Sequence, residues 1–294
     1  MIVVFGSINL DLIFAVPHIP APGETVLGPA TRIEPGGKGA NQALAAARDG
    51  ATVIMAGAVG NDALATDALA LLRAEAVDLT RVVTTAASTG CAAISVDPQG
   101  NNAIAVGSGA NLLATQTQIE DALLTPATTL LLQMEVPAEQ TAALIQRARA
   151  AGSRVILNLA PATPIAEAVL RALDILIVNE TEAAVLAARL GCDASAAALH
   201  AHLGVTIIRT LGGEGMEVAA KALHRHIPAR RIVPVDTTAA GDCFVGVLAA
   251  ALDRGLALEP ALHRASAAAA LCCTRAGSQG SAPWAAETDA MLAG

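Results

Sequence analysis

The sequence predicts a three-layer α/β fold: a mainly parallel central sheet covered by helices, plus a small β-sheet lid. Apolar runs without alternation recur at residues 130–134, 155–158, 175–178 and 206–209, the pattern of strands buried on both faces. Amphipathic stretches near 138–151, 165–171, 181–190 and 195–203 lie between them, so strands and helices alternate as parallel crossovers require. A third observation supplies the lid. Residues 91–96 and 103–106 read as a hairpin across Asp97-Pro98-Gln99-Gly100-Asn101-Asn102, and this β-rich piece interrupts the alternation.

The totals set limits on function. A chain of 294 residues with 54% hydrophobic and 1% aromatic residues builds its core from Ala, Val, Leu and Ile. No long linker or internal repeat divides it. Residues 1–294 therefore read as a single domain, its lid drawn from discontinuous segments, about 10–35 and 88–108. A net charge of −8 argues against a nucleic-acid or anionic-membrane surface. Five cysteines without a Cys-x-x-Cys pair suit a reduced cytoplasmic protein with neither a disulfide framework nor a zinc site. No uncharged apolar run approaches bilayer length, and the apolar start, residues 1–5, reads as a first strand rather than a leader.

Taken in order, residues 2–5 form a strand ending at Gly6. Asn9 and Asp11 follow on alternate positions and point to one side if the strand continues. Two polar groups there need water, partners or a ligand; an exposed edge is the plain alternative. Pro17, Pro20, Pro22 and Gly23 break the pattern into a loop, and residues 24–30 are expected as a short strand. Glu34-Pro35-Gly36-Gly37-Lys38-Gly39-Ala40-Asn41 is a Gly-rich turn opening a helix over 40–48. Its glycines let backbone approach a ligand closely, but it lacks the spacing and the Lys-Ser/Thr end of a Walker A loop. Lys38 and Asn41 suit sugar hydroxyls or a transferred phosphoryl group, against the alternative of a plain helix start. A strand at 53–59 and a helix at 63–74 come next. Polar residues then stand at successive strand ends, namely Glu135, Asn158, Asn179 to Glu182, and Thr210, which favours one shared cleft. Gly212 and Gly215 make a further turn, and the final helices are expected at 260–274 and after Trp284.

The most distinctive stretch is Val235-Asp236-Thr237-Thr238-Ala239-Ala240-Gly241-Asp242. It leaves the apolar run 231–235 and enters a helical pattern at 243–253. Such a strand-to-helix turn of small residues leaves backbone N–H groups free for an anion. An acid inside an anion hole makes poor sense as an ion ligand and good sense as a base for a nucleophile attacking a phosphoryl group. The plain alternative is a first-turn helix acid stabilised by the dipole.

Together these residues resemble the ribokinase-like family of sugar and nucleoside kinases, over essentially the whole chain. Gly36-Gly37-Lys38-Gly39-Ala40-Asn41 is similar to the family's N-terminal signature, and Asp236 to Asp242 to its C-terminal one. The resemblance implies a ribokinase-like fold and ATP-dependent phosphorylation of D-ribose at its primary hydroxyl. The alternatives are a family kinase for deoxyribose, a nucleoside or another sugar, or a catalytically silent sugar-binding regulator. It implies a sugar set of Asn9, Asp11, Gly37, Lys38, Asn41 and Glu135, with Asp242 as base and Ala239, Ala240 and Gly241 as the anion hole. Asn179, Glu182, Thr210, Gly212, Gly215, Gly241 and Ser266 fall on the ATP side, with Mg²⁺ accompanying the nucleotide. Asp236, Thr238, Cys272, Arg275, Gly277 and Ser281 match a loop holding K⁺ largely through carbonyls. A homodimer through the lid is implied as well. Ser266 replaces an expected His beside the adenine, Gly280 a Pro, Gly213-Glu214 a more usual Ser/Lys/Arg pair, and Cys272 a small Ala.

Overall fold

The computed structural model describes residues 1–293. Its strands are β1 (Ile2–Phe5), β2 (Asn9–Ala15), β3 (Ala30–Gly36), β4 (Val53–Gly60), β5 (Asp78–Thr85), β6 (Gly90–Val96) and β7 (Asn102–Gly107). They continue with β8 (Thr129–Leu132), β9 (Arg154–Asn158), β10 (Ile175–Asn179), β11 (Thr206–Thr210), β12 (Met216–Ala220) and β13 (Leu223–Ile227). The helices are α1 (Lys38–Arg48), α2 (Ala63–Ala68), α3 (Ala70–Ala74), α4 (Ala138–Ala150) and α5 (Glu167–Leu170). After them come α6 (Glu180–Leu190), α7 (Ala196–Leu203), α8 (Ala240–Asp253), α9 (Leu258–Cys273) and α10 (Ala285–Ala293).

The large sheet has nine strands in the order β13-β12-β11-β10-β9-β8-β1-β4-β5. All neighbours in it are parallel except the β11–β12 and β12–β13 pairs. β1 shows why it is covered on both faces. Ile2 and Val4 point into one core, with α1, α8 and α9. Val3 and Phe5 point into the other, with α4, α6 and α7. Period-two alternation of apolar residues on both sides leaves no face for water.

The small sheet has four strands in the order β3-β2-β6-β7. β2 is central, antiparallel to β3 and parallel to β6. The expected hairpin is the β6–β7 pair. Chain leaving β1 at Gly6 passes into this second sheet, so Asn9 and Asp11 lie on a central strand, 4% and 8% exposed. They are not an exposed edge.

Several expectations need correction. Residues 24–29 form no strand; the strand starts at Ala30 and runs through Pro35 to Gly36. Leu27 is 87% exposed, so nothing there rewards an alternating pattern, whereas Pro35 is tolerated because β3 is an edge. The helix expected over 63–74 is two short ones broken at Leu69. The run 231–235 is not a strand either. Val233 and Val235 are 85% and 67% exposed, Pro234 offers no N–H, and the run is tied down through the Val235 amide, which donates to the Cys273 carbonyl at 2.8 Å.

Candidate active site

The site begins where α1 and α8 cross. A Cβ on Gly246 would collide with the Gln42 carbonyl and lie 2.8 Å from the Ala45 Cβ. Glycine there and the alanines of both helices let the backbones touch. That closeness brings Asn41 and Gln42, in the first turns of α1, against Asp242 in the first turn of α8. Asn41 Nδ2 donates to Asp242 Oδ2 and Gln42 Nε2 to Oδ1, each at 2.9 Å. Behind them Gln133, just past β8, donates its Nε2 to Gln42 Oε1 at 2.6 Å.

The turn into α8 carries a conformational cost. Ala239 has φ 58°, in the left-handed region, which costs a side chain on the order of 1–2 kcal/mol. The turn directs the next amides outward. Cys243 N donates to the Ala239 carbonyl at 2.8 Å. Among the described residues no acceptor takes the Gly241 or Asp242 amide, and both residues line the adjoining cavity at a helix N-terminus.

On the other side lies the small sheet. Asp11 pairs across the strands with Glu34, and Gly36 leaves the room its carboxylate fills, since a Cβ there would strike it. Burial, and then the charges of Glu135, Glu34 and Asp242, push the Asp11 carboxyl up to about 7, with Lys38 opposing. Asp242 holds the Lys38 ammonium above its usual range; burial works against this, and Glu135, Glu182 and Asp11 add to it. Glu135 is fixed by the Ser7 hydroxyl at 2.6 Å and by the Lys38 amide at 3.1 Å. Gly37, at φ 87°, caps α1 and lies against the backbone of Ser7 to Asn9. One lysine thus stands among four carboxylates at the junction of sheet, lid strand and two helix N-termini; the ammonium and the helix N-terminal amides, not the acids, are the groups fit to receive the charge of a phosphoryl group.

A cavity of about 150 Å³ opens from this junction, lined by Lys38, Asn158, Asn179, Glu182, Thr210, Ala239, Gly241 and Asp242. Asn158, Asn179 and Thr210 come from the C-terminal ends of β9, β10 and β11, so these three strand ends share one cleft, whereas Glu135, expected with them, does not line it. Asn179 and Glu182 also cap α6 reciprocally, through bonds of 2.8 Å in each direction. Burial raises the Glu182 carboxyl, against the Asn179 amide and Lys38, with Asp242 adding to the rise. Gly212, Gly215 and Ser266 do not line this cavity. Gly215, at φ 102°, serves the β11–β12 turn, where a Cβ would meet the Ile227 carbonyl. A larger cleft of about 570 Å³, lined by Thr129, Arg149, Arg154 and Asp174 among others, opens at the opposite ends of the strands. It contains none of the residues singled out from the sequence.

Residues 1–285 match the family model described as pfkB family carbohydrate kinase. The chain belongs to this family of carbohydrate kinases. A ribokinase of Bacillus subtilis is 38% identical over 295 residues, which span 99% of each chain. The solved ribokinase of Thermotoga maritima superposes with a TM-score of 0.91 at 35% identity, over 100% of this chain and 99% of that one. A ribokinase of Arabidopsis thaliana, solved in complex with ribose and ATP, gives 0.86 at 30% identity over 99% and 98% of the two chains. The protein is therefore a phosphotransferase with an alcohol as acceptor.

The kinase places its expected cation loop beside the turn into α8. Asp236 gathers two segments, accepting from the Thr238 amide at 2.9 Å and the Gly277 amide at 3.0 Å. Burial works to raise its carboxyl, but the Thr238 and Gly277 hydrogen bonds, with Arg32, hold it below its usual range. Ser281 is turned inward, donating to the Ser278 carbonyl at 2.7 Å and lying 3.0 Å from Cys272 Sγ. The Arg275 side chain reaches away to Glu287, so only its backbone can serve the loop. Carbonyl oxygens beside an ionised carboxylate are a donor set that fits a monovalent cation.

Sequence reading missed four buried polar residues of this kinase. Gln42 and Gln133 back Asp242, Ser7 fixes Glu135, and Asn111 bonds both the Ile8 backbone and the Asn9 side chain.

Proposed function

We propose that the kinase transfers the γ-phosphoryl group of ATP to the primary hydroxyl of D-ribose, giving ribose 5-phosphate and ADP. The observation that carries this reading is the placement of Asp242. It sits at the N-terminus of α8 with Lys38 beside it, between the phosphate-sized cavity and the buried face of β2 that presents Asn9 and Asp11. The names of the relatives support ribose as the acceptor, and so does the donor set. Asp11 accepts twice and an Asn amide both donates and accepts, which suits an adjacent pair of hydroxyls.

In the proposed step Asp242 accepts the hydroxyl proton. The freed oxygen lone pair forms the bond to phosphorus, and the bond from phosphorus to the bridging oxygen breaks with its electrons left on ADP. Lys38 and the Gly241 and Asp242 amides hold the charge of the moving group. Magnesium bound with ATP supplies further neutralisation of the phosphates, with Asn179 and Glu182 at the cavity edge to receive it. Potassium would lie against Asp236 and the carbonyls of residues 238, 272, 275 and 277, with Ser281 nearby, keeping the α8 turn in shape. On the nucleotide side, Thr210 edges the cavity, and Gly212, Gly215 and Ser266 are assigned to the adenosine end beyond it. The lid closes over the sugar and excludes water.

We place the enzyme in the cytoplasm, where its five unpaired cysteines stay reduced. No helix among the described residues is long and apolar enough to cross a membrane. We assign the lid as the contact of a homodimer, because it exposes Ile33, Ile104 and Val106 at 61%, 56% and 51%. The deciding experiment measures ADP release with ribose, deoxyribose, inosine and fructose in K⁺ and Mg²⁺. Ribose should be the fastest by kcat/KM; faster turnover of a nucleoside or hexose would overturn the assignment.

A further inference from the structure

Asp242 is held by two amides of different character. Asn41 is 8% exposed, and its Oδ1 has no partner. It borders the place assigned to the sugar and can turn toward a hydroxyl. Gln42 is fully buried, as is Gln133 behind it, so neither can touch substrate. We infer that Gln42 and Gln133 form a fixed relay that positions the catalytic base, anchoring Asp242 Oδ1 so that Oδ2 is the oxygen presented to the sugar hydroxyl.

The polarity of the relay is forced. An ionised carboxylate only accepts, so Gln42 must turn its NH₂ to Asp242. Its carbonyl end then faces Gln133 and requires a donor there, which the Gln133 amide supplies. Rotating either amide would set oxygen against oxygen. This order leaves the last atom, Gln133 Oε1, buried with no hydrogen-bond partner. A buried unpaired acceptor is destabilising, and apolar residues of the same volume would pack here without it. The fold also reserves space for the relay. A Cβ on Gly6 would strike Gln133 Oε1. Two fully buried glutamines in an apolar core, one carrying an orphaned oxygen beside a glycine that leaves it room, are poor stabilisers and good positioners.

Gln42 therefore does for Asp242 what an orienting group does for a catalytic base elsewhere. It sets direction without meeting the reactants. When Asn41 turns to the sugar, Oδ2 loses its amide and gains the hydroxyl, while Oδ1 stays anchored. Without the anchor the carboxylate can rotate, and the proton acceptor leaves the line of attack.

The inference rests on Asp242 being the base. The test compares Gln42→Met, which keeps length and volume and removes the donor, with Gln133→Met and the double variant. Steady-state rates are taken with ribose and ATP varied separately. Gln42→Met should lower kcat on the order of ten- to hundred-fold, the effect of losing a hydrogen bond to a charged group, with both KM values within about two-fold of the parent. Gln133→Met should lower kcat by less, and should add little in the Gln42→Met background because it acts through Gln42. Should Gln42→Met fail to fold, Gln133→Met alone decides: unchanged kcat in a folded protein sinks the relay. So does a loss in either variant confined to KM, or full additivity of the two. Asp242→Asn separates the two readings. Collapse in Asp242→Asn with a fully active Gln42→Met overturns only the relay, whereas an active Asp242→Asn overturns the base and the relay with it.

Discussion

Asn111 donates its Nδ2 to the side-chain oxygen of Asn9 at 2.7 Å, and it does so over the face of Gly90. The same amide takes the Ile8 N–H at 2.9 Å, so it fastens the point where chain enters the lid at β2 to the point where chain leaves it after β7. With its oxygen committed to Asn111, Asn9 keeps its NH₂ as the donor available to the proposed sugar site. A Cβ on Gly90 would strike both Asn9 Oδ1 and Asn111 Nδ2. Gly90→Ala is therefore expected to raise the ribose KM roughly ten-fold, the order expected for one disrupted buried hydrogen bond, and to leave the ATP KM unchanged. A kinetic comparison with both substrates varied shows it; an unchanged ribose KM would mean that Asn9 does not need this orientation.

Asp11 predicts a dependence on pH in both stability and binding. Its folded carboxyl titrates near 7 against an ordinary 3.8, raised by burial and by Glu135, Glu34 and Asp242, and lowered by Lys38. Between those values the folded state binds more protons than the unfolded one, so this group's contribution to stability falls as pH rises from about 4 to 7. Above 7 the full cost remains, on the order of 4 kcal/mol. Asp11→Asn should raise the melting temperature at pH 8 by several degrees, the scale for about 4 kcal/mol in a chain of this size, and by less than half as much at pH 5, while weakening ribose binding. In the parent enzyme the ribose KM should fall between pH 6 and 8, as the carboxylate forms and accepts hydrogen bonds from the sugar hydroxyls.

How much of this was legible follows from where each residue sits. β8 to β11 could be read because each is an apolar run buried on both faces. β5 and β13 could not, since Asp78, Thr80 and Arg81, and His224, Arg225 and His226, stand on the two edge strands of the large sheet. Lys38, Asn41 and Asp242 stood out because small-residue turns flank them. Gln42, Gln133 and Asn111 did not, because the partners of each are distant in the chain. Gln42 and Gln133 are 91 positions apart, and Asn111 and Asn9 are 102 apart. A buried amide declares its purpose only when the fold shows what it faces.

The lid supplies a test of assembly. β7 is the outer strand of the small sheet, all six of its residues are exposed, and Ile104 and Val106 stand at its middle. An unpaired edge with exposed apolar side chains invites a second chain. Ile104→Lys is expected to turn a dimer of about twice the 29.4 kDa chain mass into a monomer by sedimentation equilibrium. A parent protein that is already monomeric at micromolar concentration would refute the lid contact.

The lid is also tied to the loop proposed to hold the cation. Glu34 Oε2 on β3 accepts from the Ser278 amide at 3.0 Å, and the Ser278 hydroxyl donates to the Pro35 carbonyl at 2.8 Å. Gly277, at φ 100°, lies so close that a Cβ would meet Glu34 Oε2 at 2.8 Å. On the loop's far side Asp236 holds the Gly277 amide, and the loop adjoins the turn that presents Asp242. A cation that orders the loop thus also steadies the edge of the sheet that carries Asp11. Glu34→Ala removes one of these two links, leaving the Ser278 hydroxyl on the Pro35 carbonyl, and touches neither Asp236 nor the loop carbonyls. It should raise the K⁺ concentration for half-maximal activity several-fold and raise the ribose KM with it. At saturating K⁺ the kcat should stay close to the parent value, because the base and its anion hole are intact. The measurement is a K⁺ titration at low and at saturating ribose, with Na⁺ holding ionic strength constant. If K⁺ and ribose affect one another equally in parent and variant, Glu34 is not the coupling contact.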